Sequence, residues 1–185
     1  FDAIYDRLSV CGLEEKGESF YNDRLSNVVE ELESSGVAEV SDGALVVFDE
    51  KDKKKEKVPL IIRKSDGGFL YATTDLAAVD YRSKELKANR VLYVTDAGQS
   101  GHFKAVFQAA QRSQELGDMS LEHVPFGLVQ GEDGKKFATR SGETVRLKDL
   151  LDEAESRCLT ELQERDSDAD DLHELAKVVG IGAVK

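Results

Sequence analysis

Three stretches gather the side chains that could do chemistry, each at a predicted strand end or helix mouth. In Lys64-Ser65-Asp66-Gly67-Gly68-Phe69-Leu70-Tyr71-Ala72-Thr73-Thr74-Asp75-Leu76, a helix beginning near Thr73 places Tyr71 and Asp75 about one turn apart. A phenol beside a carboxylate can receive a planar cation, by stacking and by a charge-assisted hydrogen-bonded pair. The same two residues also admit a structural role, with Asp75 favouring the positive end of its helix and Tyr71 packing in the core. In Asp96-Ala97-Gly98-Gln99-Ser100-Gly101-His102-Phe103, glycines permit close approach of backbone to a ligand, and Gln99 and His102 project from the first turn of the following helix. A ribose or phosphate there would meet a helix N-terminus; alternatively Gly98 only turns the chain and His102 only faces solvent. In Gly131-Glu132-Asp133-Gly134-Lys135-Lys136-Phe137-Ala138-Thr139-Arg140-Ser141-Gly142, three cations lie between glycines. A loop of that kind can close over triphosphate charge, or it can be a solvated turn.

The elements that must position these residues alternate between helical and strand patterns. Phe1, Ile4, Tyr5 and Leu8 fall at helical spacing, and Leu25, Val28, Val29 and Leu32 form one face of a helix over 21–35. Gly36 is placed to end that helix as a left-handed cap. Ala44 to Phe48 and Val58 to Ile62 predict a hairpin whose charged tip spans 49–57. Thr73 or Thr74 is positioned to cap the helix that carries Leu76, Ala77, Ala78 and Tyr81. Arg90 to Thr95 is a nearly all-apolar strand of the kind buried inside a parallel sheet. A helix follows over roughly 99–116, then a strand over His123 to Val129. Leu147 to Glu164 and Leu172 to Lys185 are helical, with Gly180-Ile181-Gly182 inside the second pattern and an acidic linker, 166–171, between them. The expected fold is α/β, an open parallel sheet flanked by helices, whose ligand lies beyond the carboxyl ends of its strands.

The 185 residues include 25 basic and 37 acidic side chains, a formal charge of -12. That balance argues against a sequence-independent binder of nucleic acid or anionic membrane. No apolar run approaches the roughly 18 residues of a membrane span, and there is no charged-then-apolar leader. The three histidines, His102, His123 and His173, are too scattered to predict a metal cluster. Cys11 and Cys158 form no CxxC and are each expected to be a buried small residue in a reducing compartment. A chain that opens on Phe1 and ends on Val184-Lys185 inside an apolar pattern is expected to be a piece of a longer protein.

In order, the words FDAIYDRL, GESFY, PLIIRKSDGGFLYATTDLAA, YVTDAGQSGHF, EHVPFGLVQGEDGKKFATRSGETVRLKDLLDEA and VGIGAVK resemble the arginyl-tRNA synthetases, a subfamily of the class I aminoacyl-tRNA synthetases. The resemblance implies the second half of a Rossmann-like (HUP) parallel sheet with an inserted β-hairpin region. It divides the chain into a helical connection over 1–35, an inserted β-rich region over 36–72, a second Rossmann half over 73–165, and the start of a helical region over 166–185. The HIGH-type signature belongs upstream of Phe1 and the anticodon-binding domain downstream of Lys185. The KMSKS-like loop is 131–142, its signature degenerate over Lys136-Phe137-Ala138-Thr139-Arg140, with Ala138 where family members often carry a basic residue.

The implied activity is arginine activation with ATP and transfer to tRNA(Arg). The implied partners are L-arginine, ATP with Mg2+, and tRNA(Arg), with no tightly bound cofactor, no resident metal and no membrane. A cytoplasmic monomer is expected. Carried over by the resemblance, Tyr71, Asp75 and Gln99 bind arginine, His102 is grouped with the ATP-binding residues and lies near the ATP ribose or the amino acid, and the backbone of Gly127, Leu128 and Val129 lines the adenine of ATP. Lys136, Arg140 and Lys135 serve the chemical step. A non-catalytic arginine- or tRNA-binding paralogue, or another nucleotidyl transferase of the same fold, stands as the alternative.

Overall fold

The structure, a computed structural model, describes residues 2–52, 58–127, 146–165 and 171–185. Along the chain run α1 (Asp2–Arg7), a 3-10 turn (Glu18–Arg24), α2 (Leu25–Ser34), β1 (Glu39–Ser41), β2 (Ala44–Val47) and β3 (Leu60–Arg63). They are followed by α3 (Tyr71–Lys84), β4 (Arg90–Asp96), a second 3-10 turn (Ala97–Gln99), α4 (Ser100–Ser113), β5 (Ser120–Phe126), α5 (Leu147–Arg165) and α6 (Leu172–Val184). Two compact units result: Lys16–Leu128, and Phe1–Glu15 together with Val129–Lys185.

In the first unit, Leu25, Val28, Val29 and Leu32 of α2 are all buried, as their spacing predicts. The helix stops at Gly36, whose φ of 67° is open to glycine at little steric cost. The Gly36 N–H donates to the Glu33 carbonyl at 3.1 Å and the Val37 N–H to the Leu32 carbonyl at 3.1 Å, the paired bonds of a Schellman ending.

The expected hairpin forms with β2 antiparallel to β3. A further strand, β1, pairs with β2 through a two-residue turn at Asp42 and Gly43, where φ is 49° and 79°. That is the conformation an Asp-Gly hairpin turn prefers. Strand β1 has no apolar alternation, since Glu39 and Val40 face solvent.

The expected threonine cap of α3 is not formed. Leu70 occupies the cap position, with no side-chain hydrogen bond to the helix. Thr73 is fully buried and its hydroxyl donates to the Ile62 carbonyl of β3. A buried hydroxyl must find an acceptor, and here it finds one across the interface, tying the mouth of α3 to the sheet. Helix α3 packs on α2, α4 and β3, and Leu76, Ala77, Val79 and Asp80 are buried. Asp80 pairs with the Lys84 ammonium at 2.6 Å, and Lys84 also reaches Glu31 of α2 at 2.7 Å. Those hydrogen bonds, Asp80's first, raise the pKa of Lys84.

Strands β4 and β5 pair in parallel, Arg90 opposite Ser120 through Asp96 opposite Phe126. This is the expected parallel arrangement of an α/β fold. The expectation that β4 is buried on both faces is corrected. Tyr93 is buried beside Phe103 and Phe107 of α4, with ring centroids 4.9 and 5.1 Å away. Leu92 and Val94, which alternate with it, are 50% and 62% exposed. Successive side chains of a strand point to opposite faces, and among the described residues helices cover only one.

In the second unit α5 packs on α6 around Leu151, Ala176 and Ile181. Arg7 ties α1 to α5, donating to Asp152 and Glu155 at 2.8 Å each. The two glycines of α6 differ sharply. A Cβ on Gly180 would lie 2.8 Å from the Ala154 carbonyl oxygen and 2.9 Å from the Glu155 Cα, whereas a Cβ on Gly182 would meet nothing within 4 Å. Gly180→Ala is therefore expected to destabilise this helix pair by about 1–3 kcal/mol, because the obstacle is backbone. Gly182→Ala should gain up to about 1 kcal/mol from helix propensity. Urea unfolding followed by circular dichroism checks the pair; two shifts of the same sign would contradict the packing.

Cys11 is exposed and Cys158 half-buried, both free thiols, which corrects the expectation that both are core residues. Among the described residues, no helix is long and apolar enough to cross a membrane.

Candidate functional site

Helix α3 begins on Tyr71, so Tyr71 and Asp75 stand one turn apart at its mouth, as their spacing predicts. Tyr71 is 71% exposed, which removes core packing as its role. Both border a pocket of about 630 Å³ in the Lys16–Leu128 unit. Leu60, Leu70 and Phe103 supply apolar walls. Gln99 and His102 enter from the chain leaving β4, and Glu18 enters from the first 3-10 turn. Tyr71, Asp75, Gln99 and His102 are thus brought to one place.

The approach to α4 is held by its own side chains. The Gly98 N–H donates to Asp96 Oδ1 at 2.7 Å and the Ser100 hydroxyl donates to the Ala97 carbonyl at 2.7 Å. A Cβ on Gly98 would sit 2.7 Å from the same Asp96 oxygen, so glycine makes room for the carboxylate that folds the turn. Gln99 ends that turn and His102 lies in the first turn of α4.

His102 Nε2 is 2.6 Å from Asp75 Oδ2. Their side chains are 32% and 29% exposed. The His102 ring meets Phe103 edge-on at 5.3 Å, and Phe103 stacks on His123 at 5.2 Å. His123 in turn is 2.8 Å from the Thr95 hydroxyl.

Two carboxylates, Glu18 and Asp75, border the pocket, and no lysine or arginine does so among the described residues. With a phenol and an amide at hand, such a pocket suits a planar organic cation. Among the described residues no three His, Cys, Asp or Glu side chains converge closely enough to hold a metal ion.

Sequence patterns assigned Glu18 no part in the site. It opens a 3-10 turn and carries no spacing signal linking it to Tyr71 or Asp75. Gly127 follows β5 directly and is exposed. Leu128, Val129, Lys135, Lys136 and Arg140 lie outside the described residues, as do the tip of the hairpin over 53–57 and most of the acidic linker.

A mixed α/β unit with parallel strands and a pocket where the chain leaves the first of them has the architecture of a class I synthetase catalytic fold. The family model for tRNA synthetases class I (R), catalytic domain, matches residues 1–185, and the chain belongs to that family.

Among curated relatives it is similar to the arginine–tRNA ligase of a Picosynechococcus strain, 54% identical over 194 residues, which covers 100% of this chain and 33% of the relative. The arginine–tRNA ligase of Nostoc punctiforme is 52% identical over the same share. The chain thus spans about a third of the length of these relatives. Among solved structures, arginyl-tRNA synthetase from Plasmodium falciparum superposes with a TM-score of 0.80 at 32% identity, over 99% of this chain and 30% of that one. Thermus thermophilus arginyl-tRNA synthetase gives 0.64 at 19% identity over 86% of this chain and 32% of that one, which bears on the fold alone.

Proposed function

We propose that this chain is part of an arginine–tRNA ligase, which activates arginine with ATP and transfers it to tRNA(Arg). The observation that carries the reading is the pocket itself: Asp75, Tyr71 and Glu18 beside Gln99, with no cationic wall among the described residues. A guanidinium is planar, delocalised and permanently charged, and it pairs with carboxylates through several N–H donors at once. Asp75 and Glu18 supply acceptors for those donors, Tyr71 offers a ring face or hydroxyl, and Gln99 adds a neutral hydrogen-bonding group.

In the first step the arginine carboxylate attacks the α-phosphate of ATP in line. Arginyl-adenylate forms and pyrophosphate leaves. In the second step the terminal ribose of tRNA(Arg) displaces AMP from the activated carboxyl. No covalent protein intermediate is needed, and the protein contributes position and charge. ATP, with Mg2+ as its counterion, is assigned to the carboxyl ends of the strands, with the backbone of Gly127, Leu128 and Val129 against the base. Lys135, Lys136 and Arg140 are assigned to the triphosphate and the departing pyrophosphate. Bound tRNA is expected to be required for the first step. The enzyme is expected to work as a monomer in the reducing cytoplasm, where free thiols such as Cys11 and Cys158 persist.

Charging of tRNA(Arg) by the full-length protein with labelled arginine and ATP tests this reading. Arginine should appear as an ester on the 3′ end of that tRNA. No transfer at saturating substrates would overturn it.

A further inference from the structure

We propose that His102 is a positioning residue for arginine recognition, fixing the Asp75 carboxylate in the orientation that meets the guanidinium. The inference rests on reading this pocket as the arginine site, and it gives His102 a task on the amino-acid side of the reaction.

An ionised carboxylate only accepts hydrogen bonds, so at 2.6 Å the His102 Nε2 carries the proton and donates it to Asp75 Oδ2. That bond occupies one oxygen from the α4 side. It leaves Oδ1, which has no partner among the described residues, for a ligand in the pocket.

The imidazole is itself held in place. Phe103, next in sequence, is 4% exposed and meets the His102 ring edge-on. Phe103 is wedged between Tyr93 of β4 and His123 of β5, with ring centroids at 4.9 and 5.2 Å. Asp75 is therefore oriented from the parallel strands through Phe103 and His102, as well as by its own helix. A side chain held by packing and by a hydrogen bond behind it keeps a binding geometry that a freely rotating carboxylate loses.

Arginine and ATP KM values in ATP–pyrophosphate exchange by the full-length protein, with tRNA(Arg) present, test the proposal. His102→Leu should raise the arginine KM about tenfold or more, the usual worth of a hydrogen bond to a charged group, while the ATP KM changes less than about twofold. His102→Gln, whose amide N–H extends to about the position of Nε2, should stay within about threefold of the parent for arginine. In an Asp75→Asn background His102→Leu should add less than about twofold, because it acts through the charge already removed. Should His102→Leu fail to fold, His102→Asn, whose shorter amide cannot reach Oδ2, carries the same expectation.

An unchanged arginine KM in the folded leucine or asparagine variant would overturn the proposal. So would a rise in the ATP KM alone, which would make His102 an ATP ligand. A full-sized effect persisting in the Asp75→Asn background would make it a fold residue. A parent protein that exchanges pyrophosphate with ATP but ignores arginine would instead remove the arginine site beneath the proposal, and both would fall.

Discussion

Asp75→Asn is expected to raise the arginine KM in ATP–pyrophosphate exchange roughly 30-fold or more, a loss of about 2–5 kcal/mol. The substitution keeps the size and shape of the side chain. It also keeps an oxygen that can accept from His102, now 2.6 Å from Asp75 Oδ2. What it removes is the negative charge opposite a guanidinium drawn out of water between Leu60, Leu70 and Phe103. An enclosed cation without its counter-charge costs far more than an exposed pair is worth, which is why the expected loss exceeds that of a surface salt bridge. The ATP KM should stay near the parental value. Equal arginine KM values for variant and parent would show that Asp75 serves only its helix.

The second large effect falls on the run of cations that follows β5 in sequence. Lys136→Ala is expected to lower kcat for pyrophosphate exchange about 100-fold or more, the usual cost of one lost contact to charge that develops in the transition state. The ATP KM should rise by less, because an interaction made mainly in the transition state acts on kcat. Lys135→Ala should have the smallest effect and Arg140→Ala an intermediate one. These residues lie outside the described part of the chain, and the expectation stems from their order: glycine-bounded, and close behind a strand whose carboxyl end borders a ligand site in folds of this kind. Near-parental kcat in all three variants, measured with saturating tRNA, would reduce the segment to a solvated turn.

Local patterns in the sequence carried most of the secondary structure and part of the site. The four-residue step from Tyr71 to Asp75 needs only one helical turn to become a pair, and α3 provides it. Leu25, Val28, Val29, Leu32 and Gly36 encode both the buried face of α2 and its end.

Expectations failed where distant partners decide the outcome. Thr73 resembles a cap in isolation, but β3 offers its hydroxyl a buried acceptor. Glu18 reaches the pocket from a 3-10 turn with no periodicity of its own. The His102–Asp75 bond joins α4 to α3 across a sequence separation of 27, which no local spacing rule can register. Strand β1 is different, because Asp42-Gly43 is a recognised hairpin turn pair. Its signal was present, and the exposed Glu39 and Val40 masked it for a reading based on apolar runs. The half-exposed face of β4 shows the reverse limit: an all-apolar strand tells of burial without telling which face is buried, or by what.

The pocket at the mouth of α3 is proposed to recognise a guanidinium. ATP–pyrophosphate exchange by the full-length protein, with tRNA(Arg) present, tests it most directly when arginine is compared with citrulline and lysine. Citrulline has nearly the shape of arginine and lacks its charge; lysine has the charge without the planar fork. Exchange should be supported by arginine and by neither of the others above about one hundredth of its kcat/KM, since the half-buried Asp75 would otherwise be left with an unmatched partner. Exchange with citrulline or lysine at a kcat/KM close to that of arginine would contradict the claim.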